Sequence, residues 1–250
     1  MDECHRSHKS WPYFVYSKLQ KYSRQIPTHF TYIPCAGAAV DLGILNGHQG
    51  QLSQLDVVEQ IAKLRGRGPD LLMMAIGGND VGYSDILSRL FLGNSKSLFN
   101  TVDMRLFYLS HELERLGERL NALKANQVVI PHYFDISRNE KGFFDSNCSD
   151  LHQISTSNLK LADRQILRKV NRVISEKAKM FQWTVIDSVP KLFRHGGICS
   201  TSSLIRSTTS SLQLQGDTLG AFHPIESAHQ LISDLVWKKL DFKKLLRFQI

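Results

Sequence analysis

The chain of 250 residues contains no apolar run approaching the ~18–20 residues needed to span a bilayer, so no transmembrane segment is expected. No signal peptide is visible either: the opening MDECHRSHKS is polar and leads straight into a helical pattern. Cysteine is scarce, with Cys4, Cys35, Cys148 and Cys199 the only four, and no CxxC or CxxH pair occurs. That spacing excludes the usual zinc motifs, and no metal is expected. An even count is compatible with two disulfides or with four reduced, buried thiols. Internal repeats, low-complexity tracts and linkers are absent, so residues 1–250 read as a single domain. No glycine-rich phosphate loop follows a first strand, which argues against a nucleotide binder.

What is present is a chain with 42% hydrophobic residues, enough for a sizeable core, and a formal charge of +8. The lysines and arginines are scattered, apart from RGR at 65–67 and the closing WKKLDFKKLLRF. No nucleic-acid partner is expected from that distribution. The closing stretch reads equally as an ordinary amphipathic helix or a membrane-surface segment.

Hydrophobic periodicity alternates between strand and helix. Helical spacing is read over 10–22 (with Ser10 as a cap and Pro12 early), 51–64, 104–125, 158–181 and 223–240, the last with Pro224 in its first turn. Short strands are read at 29–34, 70–76, 127–131 and 183–187, with DLLMMAI (70–76) apolar throughout, as in a strand buried on both faces. Such alternation predicts an α/β fold with a parallel sheet between helices. The Ser/Thr-rich stretch 200–211 reads as a surface loop.

In such sheets function sits beyond the carboxyl ends of the strands. Gly77, Gly78, Asn79 and Asp80 end the 70–76 strand there. The glycines permit unusual backbone angles, and Asn79 offers a neutral N–H donor suited to a developing oxyanion. An Asn-Asp turn without chemistry reads equally well from this stretch alone. Two further stretches add to it: PCAGAAVDL (34–42) places Gly37 just after a strand, and GAFHP (220–224) places His223 in a loop before the last helix. Two oxyanion donors and a proton shuttle are what acyl transfer needs around a nucleophile.

With these residues the chain resembles the SGNH (GDSL-type) hydrolases, in the branch that includes secreted actinobacterial lipases. Gly37 matches the second block of that family, Gly77-Gly78-Asn79-Asp80 the third (GxND) and His223-Pro224 the last (xxHP). C-H-R-S…WP at 4–12, HGGIC at 195–199 and QGD…GAFHP at 215–224 resemble further landmarks, so the likeness runs from residue 4 to about 240. It implies a flavodoxin-like three-layer α/β/α fold and a serine ester hydrolase acting on small-molecule, lipid or glycan esters without cofactor. It also implies His223 as base, Gly37 and Asn79 as oxyanion donors, disulfides Cys4–Cys35 and Cys148–Cys199, an exported protein (secreted or periplasmic) and a monomer.

The chain departs from the family in its first block. No Gly-Asp-Ser occurs anywhere, and Ser7 and Ser10 lie on the wrong side of the C-H-R-S landmark. That block forms the central first strand. Losing four or five buried side chains would forfeit on the order of 6–15 kcal/mol, comparable with the ~5–15 kcal/mol that holds a domain together. The expectation is therefore an N-terminally truncated hydrolase, with the first strand, its serine and a signal peptide upstream of Met1. The alternative is a non-catalytic domain that binds a glycan or lipid headgroup. Position 220 is glycine where relatives often carry the aspartate that orients the histidine. A backbone carbonyl is read in that role, with Asp217 as runner-up. Ala36 stands where relatives often carry serine, with little effect expected because the donor is backbone. Asp80 is read as a brace, His229 as a packing residue, His195 as a loop support, and Trp11, Tyr13 and Phe14 as core. Arg6 and Ser7 are placed near the missing block.

Overall fold

The structure is a computed structural model that describes residues 4–22, 27–91 and 95–246. It begins with helix α1 (Trp11–Tyr22) and helix α2 (Gln54–Arg65). Strand β1 (Leu72–Met73) leads through the Gly77–Asp80 loop into α3 (Tyr83–Phe91) and α4 (Ser95–Leu123). Strand β2 (Val128–Pro131) follows, then α5 (Thr156–Ala162), α6 (Arg168–Met180) and strand β3 (Thr184–Ile186). The chain closes with α7 (Val189–Phe193), α8 (Thr208–Gln215), α9 (Glu226–Lys239) and α10 (Phe242–Leu246).

The three strands form one parallel sheet in the order β1-β2-β3, with Leu72 opposite Val128 and Val129 opposite Thr184. α4 packs on α6 and α1 on α9, while α6 and α9 both pack on β3, so the sheet lies between helical layers. Val129, Ile130 and Ile186 are fully buried at its centre. Along α4, Val102, Leu106, Leu109, Leu113, Leu116 and Leu120 are buried at spacings of three and four, which is why this segment is a helix with one face in the core.

The sequence reading needs several corrections. Residues 29–34 form no strand: the segment has no ladder partner among the described residues, and an extended run is a strand only when its backbone is paired. The strand read over 70–76 shrinks to Leu72–Met73 and is not buried throughout, since only Met74 and Ile76 of that run are fully buried. The helix read over 158–181 is broken by a π turn, Asp163–Leu167, where Arg168 N–H bonds the carbonyl of Asp163 five residues back. The long helix starts at Ser95 rather than 104. Pro224 lies just outside α9, whose N-cap is Ile225. The stretch 200–211 is partly ordered into α8 and carries the buried Ile205 and Ser211.

Both disulfides are formed. One joins Cys4 to Cys35 and the other Cys148 to Cys199.

Candidate active site

The strands point their carboxyl ends at the same edge of the sheet, and the loop after β1 carries Gly77, Gly78, Asn79 and Asp80 there. Gly77 has φ +111°, a backbone conformation side chains rarely adopt. A Cβ on Gly78 would come within 3.0 Å of the Tyr133 ring, so this loop and the end of β2 are packed as closely as glycine allows. The loop is closed by its own turn: Val81 N–H bonds the carbonyl of Gly77, Tyr83 N–H that of Gly78 and Gly82 N–H that of Asn79.

The loop is also joined to the Gly37 segment. Asn79 Nδ2 donates to the carbonyl of Ala38 at 2.9 Å, and Val40 N–H donates to Asp80 Oδ1 at 2.9 Å. An amide group has two N–H bonds, so the Ala38 contact leaves Asn79 one donor. Gly37 has φ +77°, and the amides beside it are bound, Ala36 N–H to Cys4 O and Ala38 N–H to Cys35 O. The Gly37 N–H itself has no partner among the described residues. Asp80 is the brace between the two loops. Burial raises its carboxyl above the usual range, opposed by the Val40 N–H, and its Oδ2 is buried without a hydrogen bond among the described residues.

His223 is exposed, in a loop held on both sides. Arg206 N–H bonds the carbonyl of His223, Phe222 N–H that of Arg206, and Ile225 N–H that of Leu204. Phe222, just before it, is held at φ +64°, a strained angle for a bulky residue. His223 Nδ1 lies 2.8 Å from the carbonyl oxygen of Ala221. A carbonyl only accepts, so Nδ1 carries the proton and Nε2 is the basic nitrogen. Asp217 is not the partner of this histidine. Its carboxylate is turned onto its own loop, accepting from Leu219 N–H at 2.9 Å and from Gln215 Nε2, because the left-handed Gly216 cap sends the chain into a tight Asx turn.

The Gly37 segment and the Asn79–Asp80 loop are thus joined by direct bonds, at Ala38 and Val40. No hydrogen bond joins His223 to them among the described residues. Phe222, beside it, places its ring 6.0 Å from that of Phe91 at the end of α3. Ser7 and Ser10 are engaged elsewhere: Ser7 Oγ accepts from Lys9 N–H and Ser10 Oγ from the Tyr32 hydroxyl. Arg6 Nε donates to Pro34 O, and His195 contacts Glu140 O through Nδ1. Trp11 is buried, while Tyr13 stacks on His8 at 4.6 Å.

Two residues at the site escaped sequence reading. Tyr133 accepts the Gly78 N–H at 2.8 Å, and Asn171 bonds both the N–H and the carbonyl of Tyr133, each at 2.8 Å. Tyr133 lies two residues past β2, and that position was the available signal, since strand ends face the site. Nothing in the sequence pairs Asn171 with it. A second histidine at this edge, His132, lies 2.8 Å from Ser175 Oγ. Ser175 is in the middle of α6, where its neighbouring backbone amides are consumed by the helix.

The fold and this edge define a class: a parallel-sheet α/β protein with its polar loops gathered at the strand ends. In solved structures the chain resembles the extracellular lipase from Streptomyces rimosus, with TM-score 0.70 and 20% identity, covering 96% of this chain and 90% of that one. It also resembles phospholipase A1 from Streptomyces albidoflavus NA297, with TM-score 0.60 and 19% identity, covering 96% and 89%. At this identity the likeness establishes the fold. No family model matches the chain, and no curated protein matches it in sequence.

Proposed function

We propose that the chain is the oxyanion-and-base portion of an SGNH-type serine ester hydrolase. The observation that carries this reading is the junction of the Gly37 and Asn79 loops. A backbone N–H without a partner among the described residues and a side-chain amide with a second N–H lie on two loops tied to one another by the Asn79–Ala38 bond at the strand ends. A loop histidine with its free basic nitrogen lies at the start of α9. The fold shared with a lipase and a phospholipase agrees with it.

In this reading a serine attacks the ester carbonyl. His223 Nε2 takes the serine proton and then gives it to the leaving alcohol. Gly37 N–H and the Asn79 amide stabilise the oxyanion, and the Ala221 carbonyl holds the imidazole in the required tautomer. The attacking serine is assigned to a Gly-Asp-Ser strand outside these 250 residues, alongside β1. In support, β1 pairs with β2 alone and residues 29–34 lack a ladder partner among the described residues. A strand between them would supply both. The substrate is a lipid or small-molecule ester. Two disulfides and an extracellular neighbour support export.

The test is hydrolysis of p-nitrophenyl esters by the protein made from its complete coding sequence. Asn79→Ala is expected to lower kcat by ~10²–10³ with little change in KM, and His223→Gln to bring the rate near background. Turnover indifferent to both substitutions would overturn the assignment. Ligand binding without turnover would instead favour a non-catalytic glycan or lipid-headgroup module.

A further inference from the structure

The Gly77-Gly78 pair poses a mechanical problem. An oxyanion donor must be pre-aimed, yet Asn79 follows two glycines, the residues with the most backbone freedom. The carbonyls of Gly77, Gly78 and Asn79 are bound within the loop's own turn, which fixes its shape but not its direction relative to the sheet. Direction comes from bonds to other segments: besides the Asp80–Val40 brace and the Arg105 bond to the Val81 carbonyl, two flank the Asn79 amide. On one side the Asn79 side chain reaches Ala38. On the other the Gly78 N–H reaches the Tyr133 hydroxyl at 2.8 Å.

Tyr133 is itself held by a two-point clamp. The Asn171 amide accepts from its N–H and donates to its carbonyl, both at 2.8 Å, from α6. A side-chain amide carries its donor and its acceptor on separate atoms, so Asn171 can do both at once. A continuous line of hydrogen bonds therefore runs from α6 through Tyr133 and Gly78 to the loop that carries Asn79. The ring lies so close to Gly78 that a Cβ there would meet it at 3.0 Å, a crowded contact. Burial pushes the Tyr133 hydroxyl up to about 12, so it stays protonated through the physiological range.

We infer that Tyr133, held by Asn171, is a positioning residue that sets the aim of the Asn79 amide. This rests on the reading of Asn79 as an oxyanion donor. Tyr133 touches no reacting atom. Removing its oxygen leaves the Gly77–Gly78 peptide held only by the Val81 N–H on its carbonyl, and the loosened peptide lets the Asn79 amide sample unproductive directions.

A double-mutant cycle on ester hydrolysis tests it. Tyr133→Phe should lower kcat about tenfold or more while KM stays within about twofold, and the pH profile set by His223 should keep its shape. In an Asn79→Ala background the same substitution should cost nothing further, because it acts through Asn79. Equal losses in both backgrounds, or a parental rate in Tyr133→Phe, would overturn the proposal. If Tyr133→Phe fails to fold, Asn171→Ala is the second variant. It keeps the hydroxyl, loosens its anchor and should show the same dependence on Asn79, an equal loss in both backgrounds again being contrary. If the parent protein hydrolyses no ester, the proposed function falls, and positioning is read by NMR instead. A shift of the Asn79 side-chain amide signals in Tyr133→Phe supports it, and unchanged signals overturn it.

Discussion

His229 shows how a single residue can carry a pH dependence that the sequence conceals. It follows His223 by six positions and lies in the first turns of α9, where its Nδ1 is buried without a hydrogen bond among the described residues. Burial, then the charges of His223 and Arg206, push its pKa from 6.5 down to about 4. The folded value lies below the unfolded one, so the unfolded chain takes up the proton first as pH falls. Stability from this site is whole above about pH 6.5 and drains away between there and about pH 4. Integrated to pH 4.5, the loss is about 2–3 kcal/mol. Urea midpoints at pH 7 and 4.5 should converge in His229→Gln relative to the parent, and an unchanged difference would refute the role. At the same scale Gly37, Asn79 and His223 could be singled out as candidates in the sequence because each sits in a short motif. A backbone carbonyl beside the imidazole was the favoured reading, but that the carbonyl is Ala221's was not legible, because which atom meets an imidazole is decided by loop geometry rather than by residue type.

At the scale of elements, α2 illustrates a local rule that holds. Ser53 accepts from Asp56 N–H at 3.1 Å and donates to the Ile44 carbonyl at 2.7 Å, so one buried hydroxyl caps the helix and secures the loop leading from Gly37. Ser53→Ala should cost about 1–2 kcal/mol, lowering Tm by about 2–8 °C, with a Tm within about 1 °C of the parent counting against this account. Helices such as α1 and α4 were readable because their bonds are internal and their apolar spacing is visible along the chain. Residues 29–34 were misread for the opposite reason. A strand depends on a partner elsewhere, and apolar content cannot reveal whether one is in place. The π turn between α5 and α6 was likewise invisible, since Asp163 and Arg168 pair at 2.9 Å only in that local geometry.

At the scale of the whole molecule, the disulfides tie segments that no helix or strand connects. Cys148–Cys199 closes a separation of 51 residues, and its loss should cost about 3–4 kcal/mol through the entropy of the unfolded chain. The Cys148→Ser/Cys199→Ser pair should therefore melt about 6–16 °C lower, and an unaltered Tm would mean that the crosslink constrains nothing. Cys4–Cys35 has a second consequence. The Cys4 carbonyl accepts the Ala36 N–H, one residue before Gly37. Reducing this bond should therefore lower the rate of ester hydrolysis as well as stability.

The amino-acid sequence by itself determined the α/β class, the helical faces and the motifs at the strand ends, because periodicity, turns and loop motifs are written in neighbouring residues. Only the tertiary structure decided how long each strand is, and that Asn79 is tied to Ala38 and Gly78 to Tyr133. Those are contacts between residues as many as 55 positions apart, and their geometry exists only once the helices have closed over the sheet.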